Sequence, residues 1–493
     1  MILLPDQFAP WLQVVSTVIL AAILVRLLGA IWATSPALGM LAAVVTLLRV
    51  TLGLGLLAVS AWDLPLLRGV HTGDGFWTLS GDSRVYYDLG LTGAYDGLSA
   101  IAPGTASPAY TRMLAVWLWG FGPWMFVAIA LNTVAYACMM LAVARTCLTG
   151  PRQVPLPGVV LSMGALSFSP ILMFCSTQIL KDVVFTVLLV LFVLTARAWL
   201  PRFRALVRDA RATPWLFAGL ALMMLIIGVI AGIRAYYGVF LIGGLSLPLA
   251  LWVFRKPLRY ALPRAGAALV VGGSLWVAFA TGAGAYYEPY GRIVDTVLTR
   301  VTLGVGMTTG GDDGRDAGGS EPGVVGALDR ARQGFVSSGG NTNIAGPRAG
   351  VSARISDEPE DPAANLERSS SRVTSTAVGL AVMFLPLTVL EPLGVVDVSL
   401  GRVATLVSDT DTMFILVTMV MLAGFLRSVS GRVSIDWALA ACLASVAVVS
   451  VVLIGYVVTN VGTLTRLRVP ALVFIWLLPL ATRVRPLGLG DRT

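Results

Sequence analysis

The chain of 493 residues is strongly apolar, since 57% of its residues are hydrophobic and only 12% are charged. Soluble domains carry about 25% charged residues, so the composition excludes an ordinary soluble protein. The formal net charge of +9 does not require nucleic acid as a partner, because arginine in cytoplasmic loops orients membrane proteins and contacts anionic lipid.

Eleven apolar segments are long enough to cross a bilayer, which takes about 20 residues, and they predict transmembrane helices. Their apolar runs are continuous rather than alternating, which excludes the pattern of a barrel. The segments are 11–31, 38–60, 122–146, 156–175, 183–200, 214–233, 237–254, 264–282, 411–427, 437–459 and 469–484. We therefore expect an all-α polytopic membrane protein with an N-terminal transmembrane module (1–282), a large outer loop (283–410) and C-terminal transmembrane helices (411–493).

Basic residues in the short loops predict the orientation of these helices. Arg202 and Arg204, and then Arg255 and Lys256, occupy alternate loops, which the positive-inside rule assigns to the cytoplasm. The outer side then holds 61–121, the turns 176–182 and 234–236, the loop 283–410 and the stretch 460–468.

Two apolar segments of the outer side are not predicted to cross. Residues 108–121, "PAYTRMLAVWLWGF", are too short and rich in aromatic residues, so we expect an interfacial helix. Residues 374–394 are long enough, but a crossing there would turn Arg427 and Arg483 outward, so we expect a re-entrant or interfacial segment. Between them, residues 303–372 are rich in Gly, Ser and acidic residues and predict a flexible loop.

The first long polar break contains "GDSRVYYDLG" at residues 81–90. A carboxylate held among aromatic rings can act as a general base towards a hydroxyl acceptor, especially if partial burial raises its pKa. Asp82 is our candidate for this base. Tyr86, Tyr87 and Asp88 are candidate substrate-binding residues, although an anchoring role for the tyrosines and a capping or solvated role for Asp88 are open alternatives.

Two outer turns carry a positive charge close to the membrane. Lys181 begins a helix in "STQILKDVVF", where it can bind a lipid phosphate as a point charge or simply pair with Asp182. Arg234 lies in the tight turn of "AGIRAYYGVF", and an ionisable residue at that depth is a functional candidate. Tyr236 beside it is a candidate substrate contact or an aromatic anchor.

Three further arginines lie where a membrane protein does not favour positive charge. Arg466 and Arg468 fall on the outer side in "NVGTLTRLRVP", so they require an anionic partner, either a phosphate or a carboxylate. Arg49 lies near the middle of the second span, where a charge is costly and is expected to be buried in a pair.

Together these stretches resemble bacterial polytopic glycosyltransferases of the GT-C type, which include the polyprenyl-phosphate mannosyl- and arabinosyltransferases. The resemblance is carried by "GDSRVYYDLG", by "APGTASPAYTRMLAVWLWGFGPWMFVAIALNTVAYACMMLAVARTCL" and by "SPILMFCSTQILKDVVFTVLLVLFVLTARAWL". It covers 75–260 best and extends to "FLPLTVLEPLG" and "NVGTLTRLRVP". Two features depart from the pattern, namely two spans rather than one before the acidic loop and no evident soluble C-terminal sugar-binding domain.

The resemblance implies a sugar transferase of the plasma membrane that works on the periplasmic face. Its donor would be a polyprenyl-phosphate-linked sugar and its acceptor a hydroxyl of a glycan or another molecule. Asp82 would correspond to the catalytic base, while Lys181, Arg234, Arg466 and Arg468 would bind the donor phosphate or lipid. No cofactor is certain, although Asp82 and Asp88 could hold a divalent cation together with a phosphate.

Two other functions fit the same topology. A polysaccharide polymerase or ligase would rely on Arg234 or Arg466 rather than on Asp82. A non-enzymatic transporter or flippase of lipid-linked sugars would not consume its substrate, and it would be expected to carry polar residues at mid-membrane on broken helices.

Overall fold

The computed structural model describes residues 9–102, 105, 107–149, 153–205, 213–254, 260–284, 377–393, 401–431, 433–457 and 461–484. These residues are mainly α-helical. The predicted flexible loop 303–372 lies outside them.

The helices follow one another with short connections along most of the chain. They are α1 (Ala9–Thr34), α2 (Pro36–Ala61), α3 (Asp82–Asp96), α4 (Pro108–Phe121), α5 (Met125–Leu148), α6 (Leu156–Phe168), α7 (Pro170–Ser176), α8 (Asp182–Ala205), α9 (Thr213–Ile233), α10 (Ala235–Val253), α11 (Ala261–Gly284), α12 (377–384), α13 (Leu387–Leu390), α14 (Gly401–Val429), α15 (Trp437–Val457) and α16 (Val461–Trp476). Two short antiparallel strands, β1 (Val433–Ile435) and β2 (Thr482–Val484), pair with each other.

Among the described residues, ten helical segments are long and apolar enough to cross a membrane. The pair α6 and α7 passes the same test together, with a bend of 61° between the two helices, and would be an eleventh span. All these segments coincide with spans expected from the sequence, so the prediction of an all-α polytopic membrane protein is confirmed.

The break between α6 and α7 has a local cause. Pro170 cannot donate a backbone hydrogen bond and ends the preceding helix. Ser169 then starts α7, because its side-chain oxygen accepts a hydrogen bond from the backbone nitrogen of Leu172 at 3.4 Å. Proline at the first helical position suits such a restart, so the chain changes direction without a longer loop.

The chain forms two compact units. The first contains residues 1–292, 418–446 and 473–493, and the second contains residues 293–417 and 447–472. In the first unit, α9 packs against α8, α10 and α11, and α3 packs against α4.

Residues 82–90, which the sequence predicts as part of an outer loop, are helical. Its buried residues Ser83, Tyr86, Gly90 and Gly93 recur at helical spacing and form one face of α3. The glycines let α3 approach α4 closely, since an added Cβ at Gly93 would lie only 2.8 Å from the Cβ of Ala115. The expected helix at 108–121 is present as α4.

Two other expected loop segments are partly helical. Helix α14 begins at Gly401 rather than near 411. Asp409, in this early part of α14, caps α13, because its carboxylate accepts hydrogen bonds from the backbone nitrogens of Leu387 (2.5 Å) and Thr388 (3.2 Å). Helix α16 begins at Val461, so residues 461–468 are helical and not an outer loop.

Candidate functional site

Lys181 lies in the short turn between α7 and α8, and polar side chains from two other segments hold that turn. The side-chain nitrogen of Asn132 donates to the carbonyl oxygen of Gln178 at 2.8 Å. The hydroxyl of Ser80 donates to the side-chain oxygen of Gln178 at 3.2 Å. Because Ser80, Asn132 and Gln178 are all buried, the turn and Lys181 have a defined position at one end of the helices.

The ammonium group of Lys181 contacts a serine and an aromatic ring. Its Nζ donates a hydrogen bond to Oγ of Ser107, and it lies 5.5 Å from the centre of the Tyr86 ring. Ser107 in turn donates to the carbonyl oxygen of Ile233, at the end of α9, at 3.3 Å. Ser107 has a positive φ of 52°, which is uncommon for a residue other than glycine and is typical of constrained functional segments.

A buried ion pair lies directly beside Lys181. The Nη2 of Arg234 is 2.5 Å from Oδ1 of Asp182, and their side chains are only 7% and 2% exposed. The guanidinium also lies over the ring of Phe185, 5.0 Å from its centre. Asp182 therefore neutralises Arg234, whereas the sequence alone suggests that Asp182 pairs with Lys181.

Two tyrosine hydroxyls border this ion pair. Tyr110 packs edge-to-face against Tyr86 with ring centres 5.2 Å apart, and Tyr237 packs against Phe185 with ring centres 4.9 Å apart. Within the described ranges, neither Oη of Tyr110 nor Oη of Tyr237 has a hydrogen-bond partner, although both are buried. Burial raises the pKa of Tyr110 well above its usual value, and the nearby Tyr86 and Asp182 add to this shift. The hydroxyl of Tyr110 therefore remains protonated and can donate a hydrogen bond.

We call this group the Lys181 cluster. It comprises Tyr86, Ser107, Tyr110, Lys181, Asp182, Arg234 and Tyr237. It contains two cations, one carboxylate and four hydroxyl groups, so its net charge is positive and its donors outnumber its acceptors. Such an arrangement can bind an anionic group such as a phosphate.

Asp82 is the first residue of α3 and is exposed to solvent. It precedes Tyr86 by four residues, which places both on one face of the helix. Asp88 lies six residues after Asp82, which is about 240° around a helix of 3.6 residues per turn, so α3 does not present both carboxylates to one cation. The described residues contain no group of three His, Cys, Asp or Glu side chains that could hold a metal ion.

The side chains of Tyr87 and Tyr236 both contact neighbouring residues of the protein. The hydroxyl of Tyr87 donates to the carbonyl oxygen of Pro123 at 2.6 Å. Burial raises the pKa of Tyr87 to about 12, with smaller contributions from Tyr95 and Asp88. Tyr236 packs against the neighbouring ring of Tyr237, with ring centres 5.2 Å apart. Such contacts suit an anchoring role, and the substrate-binding role of Tyr87 and Tyr236 stays a prediction.

A solvent-exposed ion pair links α3 to the segment that precedes it. Arg84 Nη2 lies 2.9 Å from Oδ2 of Asp74. The hydrogen bond from Thr72 lowers the pKa of Asp74, and the guanidinium of Arg84 acts in the same direction. This pair is much more exposed than the pair in the Lys181 cluster.

Arg466 and Arg468 belong to the second compact unit. Arg468 is completely buried, and its Nη2 lies 2.9 Å from Oδ2 of Asp411 on α14. It also donates to Oγ1 of Thr412 and to the carbonyl oxygen of Ser408, each at 2.6 Å. The anionic partner that Arg468 requires is therefore a carboxylate of α14. Arg466 lies on α16, two residues before Arg468, and is half-buried.

Sequence reasoning missed Ser107, Tyr110 and Tyr237 as parts of the site. Tyr110 lies in the segment 108–121, for which the sequence predicts only an interfacial helix, and Tyr237 follows the candidate residue Tyr236 directly. Comparison of the chain with protein-family models, with curated proteins and with solved structures finds no match.

Proposed function

We propose that this protein is a membrane glycosyltransferase of the GT-C type in bacteria. It transfers a sugar from a polyprenyl-phosphate donor to a hydroxyl group of a glycan or another acceptor on the outer face of the plasma membrane. The observation that supports this best is the Lys181 cluster, in which the ammonium group of Lys181 and the ring of Tyr110 both lie against Tyr86 of α3, the helix that begins with Asp82.

The donor phosphate would bind to the ammonium group of Lys181. Charged hydrogen bonds to phosphate are strong, and Lys181 is half-buried, which reduces the screening of its charge by water. The hydroxyls of Tyr110 and Tyr237 can donate to further phosphate oxygens. Arg234 adds positive potential, although its contact with Asp182 means that a phosphate would share it with that carboxylate.

Asp82 would act as the general base. It accepts the proton of the acceptor hydroxyl while the acceptor oxygen forms a bond to the anomeric carbon of the sugar. The bond between that carbon and the phosphate oxygen breaks, and polyprenyl phosphate leaves with the electron pair. Lys181 stabilises the negative charge that develops on the phosphate, which is a common way to lower the barrier of group transfer.

The proposal is tested with purified full-length protein in detergent, given polyprenyl-phosphate sugars and hydroxyl acceptors. We expect release of polyprenyl phosphate. Substitution of Lys181→Met should raise the KM for the donor about 10- to 100-fold, the loss typical of one charged hydrogen bond, while Lys181→Arg should retain much of the affinity. Arg84→Met, which removes an exposed charge of the same sign, is the control and should leave KM unchanged.

The competing functions give different results in this assay. A transporter or flippase would release no polyprenyl phosphate in the absence of a membrane. A polymerase or ligase that depends on arginine would lose activity in Arg466→Met and would not respond to Asp82→Asn.

A further inference from the structure

Two arginines of the first compact unit share one buried carboxylate, on the side of the membrane that the basic loops predict to be cytoplasmic. The Nη2 of Arg204 lies 3.3 Å from Oδ1 of Asp436, and the Nη2 of Arg483 contacts Oδ2 of the same carboxylate. The side chain of Asp436 is 4% exposed, whereas those of Arg204 and Arg483 are 26% and 24% exposed. The carboxylate is therefore enclosed, while both arginines reach the surface.

A third arginine adds positive charge close to this group. Arg197 precedes Arg204 by seven residues, about two turns, so both lie on the same face of α8. It is buried, its Nη1 donates to Sγ of Cys147 at 3.7 Å, and it is near enough to Asp436 and Arg483 to interact with them electrostatically. We call Arg197, Arg204, Asp436 and Arg483 the Asp436 cluster. Three guanidinium groups and one carboxylate give it a net positive charge.

The backbone around Asp436 is held by hydrogen bonds. Strand β1 ends directly before Asp436, and its partner β2 contains Arg483. The backbone nitrogen of Asp436 donates to the carbonyl oxygen of Ala481 at 2.8 Å. Its Oδ1 accepts from the backbone nitrogen of Leu439 at 3.5 Å, in the first turn of α15. The cluster is thus ordered before any ligand arrives, which lowers the cost of binding.

Each of the two outer arginines uses only one nitrogen on Asp436. Within the described ranges, Nε and Nη1 of Arg204 and of Arg483 contact no acceptor, and both side chains are partly exposed. A guanidinium group offers parallel donors that match the oxygens of a phosphate. The cluster therefore has both the charge and the unused donors that a phosphate group requires.

The cluster lies at the ends of membrane-spanning helices. Arg204 is the last residue but one of α8, and Asp436 directly precedes α15. Trp437, the first residue of α15, and Trp215, near the start of α9, are each 74% exposed. Exposed tryptophans at helix ends are typical of the interface between membrane and water. This position indicates that the cluster lies at the depth of lipid headgroups.

We propose that Arg204 and Arg483 bind the phosphate of an anionic phospholipid in the cytoplasmic leaflet. The phosphate takes the donors that Asp436 leaves unused, and Arg197 adds positive potential. The net positive charge of the cluster favours an anionic lipid over a zwitterionic one. This site is independent of the proposed glycosyl transfer, because it lies at the opposite end of α8 from Lys181.

The site is tested by thermal unfolding of the full-length protein in a neutral detergent, titrated with phosphatidylglycerol or with phosphatidylcholine. We expect a saturable rise of the midpoint with phosphatidylglycerol alone, because a ligand that binds only the folded state stabilises it. Arg204→Met and Arg483→Met should each weaken the apparent binding about 10-fold, the lower end for a charged hydrogen bond, since both side chains are partly exposed. Arg202→Met, which removes an exposed arginine two residues before Arg204, is the control and should keep the wild-type response.

Another variant separates lipid binding from a purely structural role of the ion pairs. Asp436→Asn removes the carboxylate that competes with phosphate, and asparagine can still cap α15. If the arginines only pair with Asp436, this variant loses stability and gains no response to lipid. If they bind phosphate, its midpoint should rise more with phosphatidylglycerol than that of the wild-type protein.

Three results would overturn the proposal: equal responses of the wild-type protein to the two lipids, a wild-type response in both Arg204→Met and Arg483→Met, or no added response in Asp436→Asn. Inorganic phosphate at millimolar concentration, added without lipid, should not reproduce the rise. An equal rise with inorganic phosphate would show that the cluster takes free phosphate and would overturn its assignment to a lipid.

Discussion

Removal of either partner of the Asp182–Arg234 pair should destabilise the protein far more than removal of a surface ion pair. Both side chains are less than a tenth exposed, at 2% and 7%, and their charged atoms are 2.5 Å apart. Arg234→Met leaves a buried carboxylate without its cation, and Asp182→Asn leaves a buried guanidinium without its anion. For such truncations the expected cost is about 3–5 kcal/mol in the free energy of unfolding.

A double variant that combines Arg234→Met with Asp182→Asn tests whether the two buried charges compensate each other. When both charges are removed, no uncompensated charge remains, so the combined cost should fall below the sum of the two single costs. Neighbouring groups of this kind couple by about 0.5–3 kcal/mol, and the burial of both side chains places this pair towards the upper end. The assay is denaturant unfolding of the purified protein in detergent micelles, with each variant measured under the same conditions.

The matched control is the Asp74–Arg84 pair. Its atoms are similarly close at 2.9 Å, but its side chains are 36% and 60% exposed. An exposed pair contributes about 0–1 kcal/mol, so Arg84→Met should have little effect. Strictly additive costs at Asp182 and Arg234, or costs no larger than that of Arg84→Met, would refute the view that this pair holds α8 to the start of α10.

Three further predictions concern other parts of the fold. Gly93→Val should lower the unfolding midpoint of the purified protein, because an added Cβ would lie 2.8 Å from the Cβ of Ala115, whereas Gly120→Ala, with open space around it, should not. Burial raises the pKa of Tyr87 to about 12, so the stability that its neutral hydroxyl contributes is complete below about pH 10 and is lost as the pH rises through 12. The difference in unfolding midpoint between the wild-type protein and Tyr87→Phe should therefore narrow over this pH window. A difference that stays constant would contradict this prediction. Arg468→Met should cost about 3–5 kcal/mol in denaturant unfolding, since it leaves the buried Asp411 without its cation, and an unchanged midpoint would show that the pair is dispensable.

The spans could be predicted from the sequence because burial in lipid imposes a length and a composition on each helix. The interfacial position of 108–121 stays a prediction, but its helical structure follows from its apolar spacing and its proline start. The helix at Asp82–Asp96 was not predicted. Its polar and glycine-rich composition is typical of a turn, and only its packing against α4 explains why it is helical.

The partners of the buried charges could not be read from the sequence. Asp182 lies next to Lys181 along the chain, yet it pairs with Arg234, which is 52 residues away. Arg468 pairs with Asp411, which is 57 residues away. Such pairings depend on which helices pack together, and a single sequence contains no periodic signal for them. The absence of a described carboxylate beside Arg49 is likewise a property of the tertiary packing.

The proposed sugar transfer from a lipid phosphate requires Asp82 to serve as its base. The most direct measurement compares the turnover of the wild-type protein with that of Asp82→Asn and Asp88→Asn, with release of polyprenyl phosphate in detergent as the readout and unfolding midpoints as the check on folding. Loss of a general base lowers turnover by about 10²- to 10⁴-fold, so we expect Asp82→Asn to be nearly inactive but folded, and Asp88→Asn to be active. Full activity of Asp82→Asn would contradict this account.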